Sequence, residues 1–283
     1  MRNIILIADS GSTKTDWGVV KDGTLVSLIC TKGLNPYFLS FEEIRDEIEK
    51  VLVPQLMGVS VDKVCFYGAG CVFDNVDTVH NAISSCMKTS DINVYSDLLA
   101  AAHSTCGSEA GIACIMGTGS NSCFYDGQEI VKNIPPLGFI LGDEGGGATL
   151  GRLLISDILK EILPQHIIDA FFEKYNITQA EILDRVYKQP FPNRFLAGFS
   201  PFLSEHIDVP EIRAIILKNF VSFFTRNVMH YDYRNYAVNF VGSVAYHYRD
   251  VLEEAAKATD IRIGKILKKP MDGLISLHLA IAR

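Results

Sequence analysis

The sequence predicts an α/β protein built from two related halves. Strand-like and helix-like segments alternate through its first 130 residues, and one pattern occurs twice. Residues 5–26 read as strand, Gly-Ser-Thr loop, strand, Asp-Gly turn, strand. Residues 112–131 repeat that order around Gly117-Thr118-Gly119-Ser120 and Asp126-Gly127. With Gly11 set against Gly117 and a gap of two residues, the two units superimpose in pattern. Either loop alone is the kind of small-residue turn that recurs by chance. Two of them, each between strands and each followed by its own Asp-Gly turn, indicate duplication.

In chain order, residues 4–8 form a short apolar, β-rich run. Residues 17–20 and 25–29 flank Asp22-Gly23, a dipeptide that favours a tight hairpin turn. Residues 41–57 carry Ile44, Ile48, Val51 and Leu52 at helical spacing behind a cap at Ser40. Residues 64–67 predict a strand, 76–87 a helix, 92–95 a strand and 98–103 a helix with Asp97 at its start. The later half is richer in helix, with long periodic segments at 148–163 and 211–231. Between them the Pro- and Phe-rich stretch at 189–192 marks an insertion. Residues 237–241 predict a strand that ends in Gly242-Ser243, and 274–282 a closing helix.

Composition bounds the function. The chain has 283 residues and a mass of 31.3 kDa, enough to bury a core without disulfides or metal staples. Lys and Arg total 26 against 33 acids, a net charge of −7, with no basic run. Such a chain is a poor grip for a nucleic-acid backbone or an anionic membrane. No apolar stretch reaches ~18 residues, so no membrane span is expected. The apolar run at 4–7 is too short for a signal-peptide core, and a cytoplasmic protein is expected. The seven cysteines, Cys30, Cys65, Cys71, Cys86, Cys106, Cys114 and Cys123, are odd in number and lack C-x-x-C spacing. A disulfide framework or zinc knuckle is not expected.

Several constellations can carry chemistry. Asp9-Ser10-Gly11-Ser12-Thr13-Lys14-Thr15-Asp16 puts an acid at a strand end, followed by small and hydroxyl residues. Such a loop lets backbone N–H groups approach an anion, and Asp9 could hold Mg²⁺ through water. Lys14 adds positive charge or is a solvated turn lysine. The loop is neither a Walker A motif nor a dinucleotide-binding G-x-G-x-x-G. Gly117-Thr118-Gly119-Ser120 offers the same chemistry. Gly242-Ser243 allows close backbone contact with a ring or sugar, a weak signal alone. Asp97 reads equally well as an N-cap or as a general base. Asp143-Glu144, set among glycines, suits hydrogen bonding to sugar hydroxyls or complements the dipole of the following helix. Asn35, before Pro36, is a hydrogen-bonding loop residue or a turn former. His103 reads as a packed or surface residue, and Tyr231, Tyr233 and Tyr236 as packing aromatics.

Taken in order, Asp9–Asp16, Asp97, Gly117–Ser122, Gly142–Gly147 and Gly242-Ser243 resemble the actin-like ATPase and sugar-kinase superfamily. The closest likeness is to the N-acetylglucosamine kinase branch of its BadF/BadG/BcrA/BcrD-type ATPase family. The resemblance covers essentially the whole chain. It implies two ribonuclease-H-like domains with an interdomain cleft, divided as 1–110 and 111–283, with a helical insertion near 164–209 and the final helix free to cross back. It also implies an ATP-dependent kinase that phosphorylates an amino sugar, most of all N-acetylglucosamine at O6. Asp9 would organise Mg²⁺. Gly11, Ser12, Thr13 and Lys14, with Gly117, Thr118, Gly119 and Ser120, would hold the ATP phosphates, and Gly242 and Ser243 would lie near the adenosine. Asn35, Asp97, Gly138, Asp143 and Glu144 would face the sugar, with Asp97 as the base. The partner is a small-molecule sugar, and a homodimer is plausible on base rates. The alternative is an ATPase of the benzoyl-CoA reductase or 2-hydroxyacyl-CoA dehydratase activator type, coupled to a protein partner. That type needs a cysteine-ligated iron–sulfur cluster, for which the sequence has no clear ligand pair. A non-catalytic nucleotide-binding sensor is a further alternative.

Overall fold

A computed structural model describes residues 4–281. The chain divides into two compact units: one runs through Glu109 and takes back the segment from Lys269 onward, and the other is Ala110–Lys268.

The first unit holds β1 (Ile4–Ser10), β2 (Lys14–Lys21), β3 (Thr24–Lys32), β4 (Lys63–Gly68) and β5 (Asp91–Ser96), in the sheet order β3-β2-β1-β4-β5. β1 pairs antiparallel with β2 and parallel with β4. The β2–β3 turn is Asp22-Gly23, with φ of 48° and 83°, the left-handed pair that a two-residue hairpin requires. Both faces of the sheet are covered, which explains why β1 reads as an unbroken apolar run. Leu6 and Ala8 point to one face, with Trp17, Phe66 and the helices α1 (Phe41–Glu47) and α3 (Asn75–Cys86). Ser40 caps α1 through a reciprocal capping box with Glu43. The expected helix at 41–57 is broken into α1, a π-helical turn at Ile48–Leu52 and a short α2 (Val53–Gln55) that holds Pro54.

Ile5 and Ile7 point to the other face, toward α4 (Asp97–Cys106) and the C-terminal helix Met271–Ile281. Met271, Leu274 and Ile275 pack there with Cys65, Tyr67 and Ala100. The segment from Lys269 onward therefore belongs with the first sheet, although a cut at 110/111 leaves it with the second.

The second unit contains β6 (Gly111–Met116), β7 (Ser120–Tyr125), β8 (Ile130–Ile134), β9 (Val238–Val241) and β10 (Ile263–Leu267), ordered β10-β9-β6-β7-β8. β6 pairs antiparallel with β7 and parallel with β9, as β1 does with β2 and β4. Each sheet is thus a three-stranded antiparallel meander with two parallel strands added beside its first strand. This is the duplication the loop pattern implied. The short α5 (Gly138–Leu141) leads to α6 (Gly147–Leu159). The insertion forms α7 (Gln165–Tyr175), α8 (Gln179–Tyr187), α9 (Pro192–Ala197) and α10 (Ser200–Glu205). Then follow α11 (Pro210–Arg226), α12 (Ser243–His247) and α13 (Arg249–Ala258). Phe171, Phe199, Phe202, Phe220, Phe223, Phe224 and Phe240 form a continuous core with Leu154 and Ile158 of α6. Tyr231 is buried in it and its hydroxyl donates to the Ser122 carbonyl at 2.9 Å, so this tyrosine is a packing residue. Among the described residues no helix is long and apolar enough to cross a membrane.

Candidate active site

In the first unit, the sheet face beneath α4 and the C-terminal helix brings three acids together. Asp9 is the penultimate residue of β1, and its register partner on β2 is Asp16, so both side chains project to this face. Asp97 is the first residue of α4, after β5. Ser96, not Asp97, caps that helix: its Oγ accepts from the Leu99 N–H at 3.2 Å. The capping explanation for an acid at this position is thereby taken up by its neighbour. Burial pushes the Asp97 carboxyl up, against the pull of the N–H groups of Leu98 and Asp97 itself. Burial, then the charges of Asp16 and Asp97, push Asp9 up to about 6, while Lys14 and Lys269 pull the other way. Asp16 behaves oppositely. Burial works against its charge, but Lys269 and Lys14, at 2.8 and 2.9 Å, hold it below the usual carboxylate range.

The loop between β1 and β2 is braced from one side. The Gly11 N–H donates to the Lys14 carbonyl at 2.9 Å and closes the turn. The Gly33 N–H donates to the Thr13 carbonyl, and Leu34 N–H donates to Ser10 Oγ. Ser10 lies in a strand and also shares a 2.7 Å bond with Thr15 Oγ1, so a serine fits there without strain. Asn35 is buried, and its Nδ2 donates to Ser12 Oγ at 2.7 Å while its Oδ1 accepts from the Tyr37 N–H. Asn35 thus ties the two loops together. Thr13 and the Lys14 side chain remain exposed.

In the second unit the loop between β6 and β7 repeats the closure, with the Gly117 N–H donating to the Gly119 carbonyl at 3.0 Å. The segment after α5 packs on it. Gly147 and Ala148 N–H donate to the carbonyls of Gly117 and Thr118, each at 2.8 Å. Asp143 Oδ1 accepts from the Ser120 N–H at 3.3 Å. Burial pushes the Asp143 carboxyl up to about 6, Ser120 lowers it and Glu144 raises it. Leu137 and Asp143 both sit at left-handed φ, 63° and 52°, a concentration of backbone strain beside Gly138. Glu144 turns elsewhere and pairs with Arg226 at 2.6 Å. Gly242, with φ of 132°, sits so close to β6 that a Cβ would lie 2.1 Å from the Met116 carbonyl oxygen. Ser243 lines a cavity of about 390 Å³ with Ser200, Pro201, Val244, His247 and Tyr248.

The solved structure of a protein from Porphyromonas gingivalis, provisionally named N-acetylglucosamine kinase, is 44% identical and superimposes with a TM-score of 0.96, covering 99% of this chain and 100% of that one. The chain belongs to the N-acetylglucosamine kinase-like family. A Chromobacterium violaceum protein of the same provisional name, 16% identical with a TM-score of 0.75 over 97% of this chain and 98% of that one, shares the fold. So does the ADP-bound MreB5 protein of Spiroplasma citri, 13% identical with a TM-score of 0.51 over 99% and 96%. These place both units in the actin-like, ribonuclease-H-like architecture. No family model and no curated protein matches the sequence.

Within this kinase-like family member, the first unit assembles Asp9, the 11–14 loop, Asn35 and Asp97, and the second assembles the 117–120 loop with Asp143. Sequence reasoning left Asp16 and Lys269 without a role. Asp16 carried a signal, as the acid that closes the first loop. Lys269 carried none, being 253 positions away from its partner.

Proposed function

We propose that this ATP-dependent sugar kinase transfers the γ-phosphoryl group of ATP to O6 of N-acetylglucosamine, with Asp97 as the general base. The observation that carries the reading is Asp97 itself: a half-buried carboxylate, excused from capping by Ser96 and close enough to Asp9 to raise its proton affinity. In the reaction the sugar hydroxyl oxygen bonds to the γ-phosphorus, the bond to the β–γ bridging oxygen breaks, and ADP leaves. The hydroxyl proton passes to Asp97, whose burial-raised proton affinity suits it to receive that proton late in the transfer.

The donor set around Asp9 fits a magnesium ion. Mg²⁺ is bound by one or two carboxylates, waters and substrate phosphates, not by an all-protein cage. Asp9 is a carboxylate that burial, and then the charges of Asp16 and Asp97, push up to about 6, and among the described residues no cluster of three His, Cys, Asp or Glu side chains forms such a cage. A bound Mg²⁺ would neutralise charge on the phosphates. The 11–13 and 118–120 loops would position phosphate oxygens through their backbone and hydroxyl donors. The cavity beside Ser243 has the size for a nucleoside. Asp143, fixed by Ser120, would accept from sugar hydroxyls while Lys14 adds positive charge. Asn35 would act on the sugar side through the brace it makes with Ser12.

The test is ADP release from Mg-ATP across a panel of hexoses and hexosamines with a no-sugar control, followed by NMR of the product. Stimulation by N-acetylglucosamine with phosphorus at O6 supports the reading. ADP release that no sugar changes overturns it in favour of an ATPase coupled to a protein partner.

A further inference from the structure

The second unit contains a cationic cavity that neither the phosphate-type loop nor Asp143 lines. It encloses about 380 Å³ between α5, α6 and α11. Lys218, Ser222 and Arg226 stand four residues apart on α11, which puts them on one helix face. Arg152 of α6 faces the same space. Arg226 is paired with Glu144, whereas Arg152 and Lys218 have no ion pair or hydrogen-bond partner among the described residues. Three cations against one carboxylate leave the cavity a residual charge of +2, in a chain whose net charge is −7.

Two further features call for an occupant. The Asn219 side chain is only 3% exposed, and its Nδ2 has no hydrogen-bond partner, although its Oδ1 accepts from the Gly145 N–H at 3.1 Å. Ile140 and Leu141 of α5 stand at the cavity's edge 74% and 69% exposed, with no apolar cover.

We propose that this cavity is a binding site for a phosphate-monoester dianion with a small carbon skeleton, the class of a sugar phosphate. A phosphate monoester carries about −1.5 to −2 charges at pH 7, which matches the residual charge of the site. Guanidinium and ammonium groups give charge-assisted bonds to its oxygens, and the Ser222 hydroxyl adds a neutral one. Ile140, Leu141 and Leu153 cover the skeleton. The site is separate from the proposed transfer chemistry and stands without it.

The test is calorimetric titration of the full chain with glucose 6-phosphate, inorganic phosphate and acetate. Glucose 6-phosphate is expected to bind, weakening as salt is added. The double substitution Arg152→Ala with Lys218→Ala is expected to weaken it at least about tenfold, as two lost charge-assisted contacts require. Thermal stability and turnover with Mg-ATP and sugar are expected to be unchanged, because both side chains are exposed and lie outside the proposed catalytic groups. Ser222→Glu, which adds a carboxylate to the same helix face, is the independent variant and should weaken binding as well. Glucose 6-phosphate is expected to bind more tightly than inorganic phosphate, because the apolar wall covers the skeleton, and equal affinity for the two would overturn the assignment to a monoester. Binding that survives both variants, acetate binding as tightly as phosphate, or no phosphate binding by the native chain would overturn the proposal.

Discussion

Asp9 and Asp16 face each other across the β1–β2 ladder, and the cations are shared unequally between them. Asp16 holds Lys14 and Lys269 within 2.9 Å, while Asp9 has no ion pair among the described residues. Like charges opposite one another on a sheet face destabilise it. One of the two is neutralised by the fold, and the other is left with a proton affinity raised to about 6. That asymmetry is what a cation-binding carboxylate needs, and it has a cost in stability.

Asp9→Asn is therefore expected to stabilise the chain. The folded-state value of about 6 lies above the ordinary 3.8, so the ionised form weakens the fold at any pH above 6. At about 1.4 kcal/mol per unit, the gain at pH 8 is about 1–3 kcal/mol. It should shrink as pH falls from 6 toward 4, where Asp9 is protonated in the folded chain. Thermal melts in metal-free buffer at pH 8 and pH 5 read this directly. A variant less stable than the native chain at pH 8 would refute the account.

Asp97→Asn tests the base. We expect kcat to fall by about 10²–10⁴, the contribution of a positioned proton acceptor, with little change in nucleotide affinity. Because Ser96 carries the cap, the helix should survive the change. Steady-state kinetics with nucleotide binding measured separately decide it. Near-native kcat removes Asp97 from the role.

The features legible in the sequence were those written in short-range pattern. Asp22-Gly23 announced the hairpin, Ser40 the start of α1, and the repeated strand–loop–strand unit the duplicated sheet order. The contacts that tune the site were not legible, because they are made across long separations. Lys269 reaches Asp16 from 253 residues away, and Arg226 claims Glu144 from the far end of α11. α13 and β10 had no distinctive turn chemistry to mark them and emerge only from packing, α13 against α11 and β10 beside β9. The C-terminal helix joins the first sheet through Met271, Leu274 and Ile275, an apolar stripe that names no destination by itself.

Gly242→Ala separates packing from ligand contact at the end of β9. Its φ of 132° and the 2.1 Å approach of a Cβ to the Met116 carbonyl oxygen leave no room for alanine. Displacing a strand end from β6 should destabilise the chain by about 1–3 kcal/mol. Denaturant unfolding without nucleotide measures it. An unchanged midpoint would mean that the strand end moves freely and the glycine serves only a ligand.

The face of β4 below the acids carries a buried polar chain with a definite pH signature. The Tyr67 hydroxyl lies 2.9 Å from His103 Nδ1 and 3.0 Å from His278 Nε2, and the far nitrogen of His278 lies 3.8 Å from Cys65 Sγ. One hydroxyl can donate to the bare nitrogen of one imidazole and accept from the N–H of the other, and protonating both rings breaks this arrangement. Burial pushes both histidines down to about 4, helped at His103 by the charge of His278 and at His278 by that of Lys63. Their ordinary value is 6.5, so the unfolded chain binds the extra protons first. The stabilisation is complete above pH 6.5 and is lost as pH falls from 6.5 toward 4. Asp9 and Asp143, raised to about 6, oppose this over much of the same range, because acid favours their folded form. The histidine contribution therefore appears in a comparison of variants. His103→Gln with His278→Gln should be less stable than the native chain at pH 7.5, and the gap should narrow steadily on acidification to pH 4.5, since the carboxyl contributions are common to both. Urea unfolding at several pH values measures that gap. A gap that stays constant across the range would mean that the two histidines are not held neutral by the fold, and the docking of the C-terminal helix would then owe nothing to their protonation state.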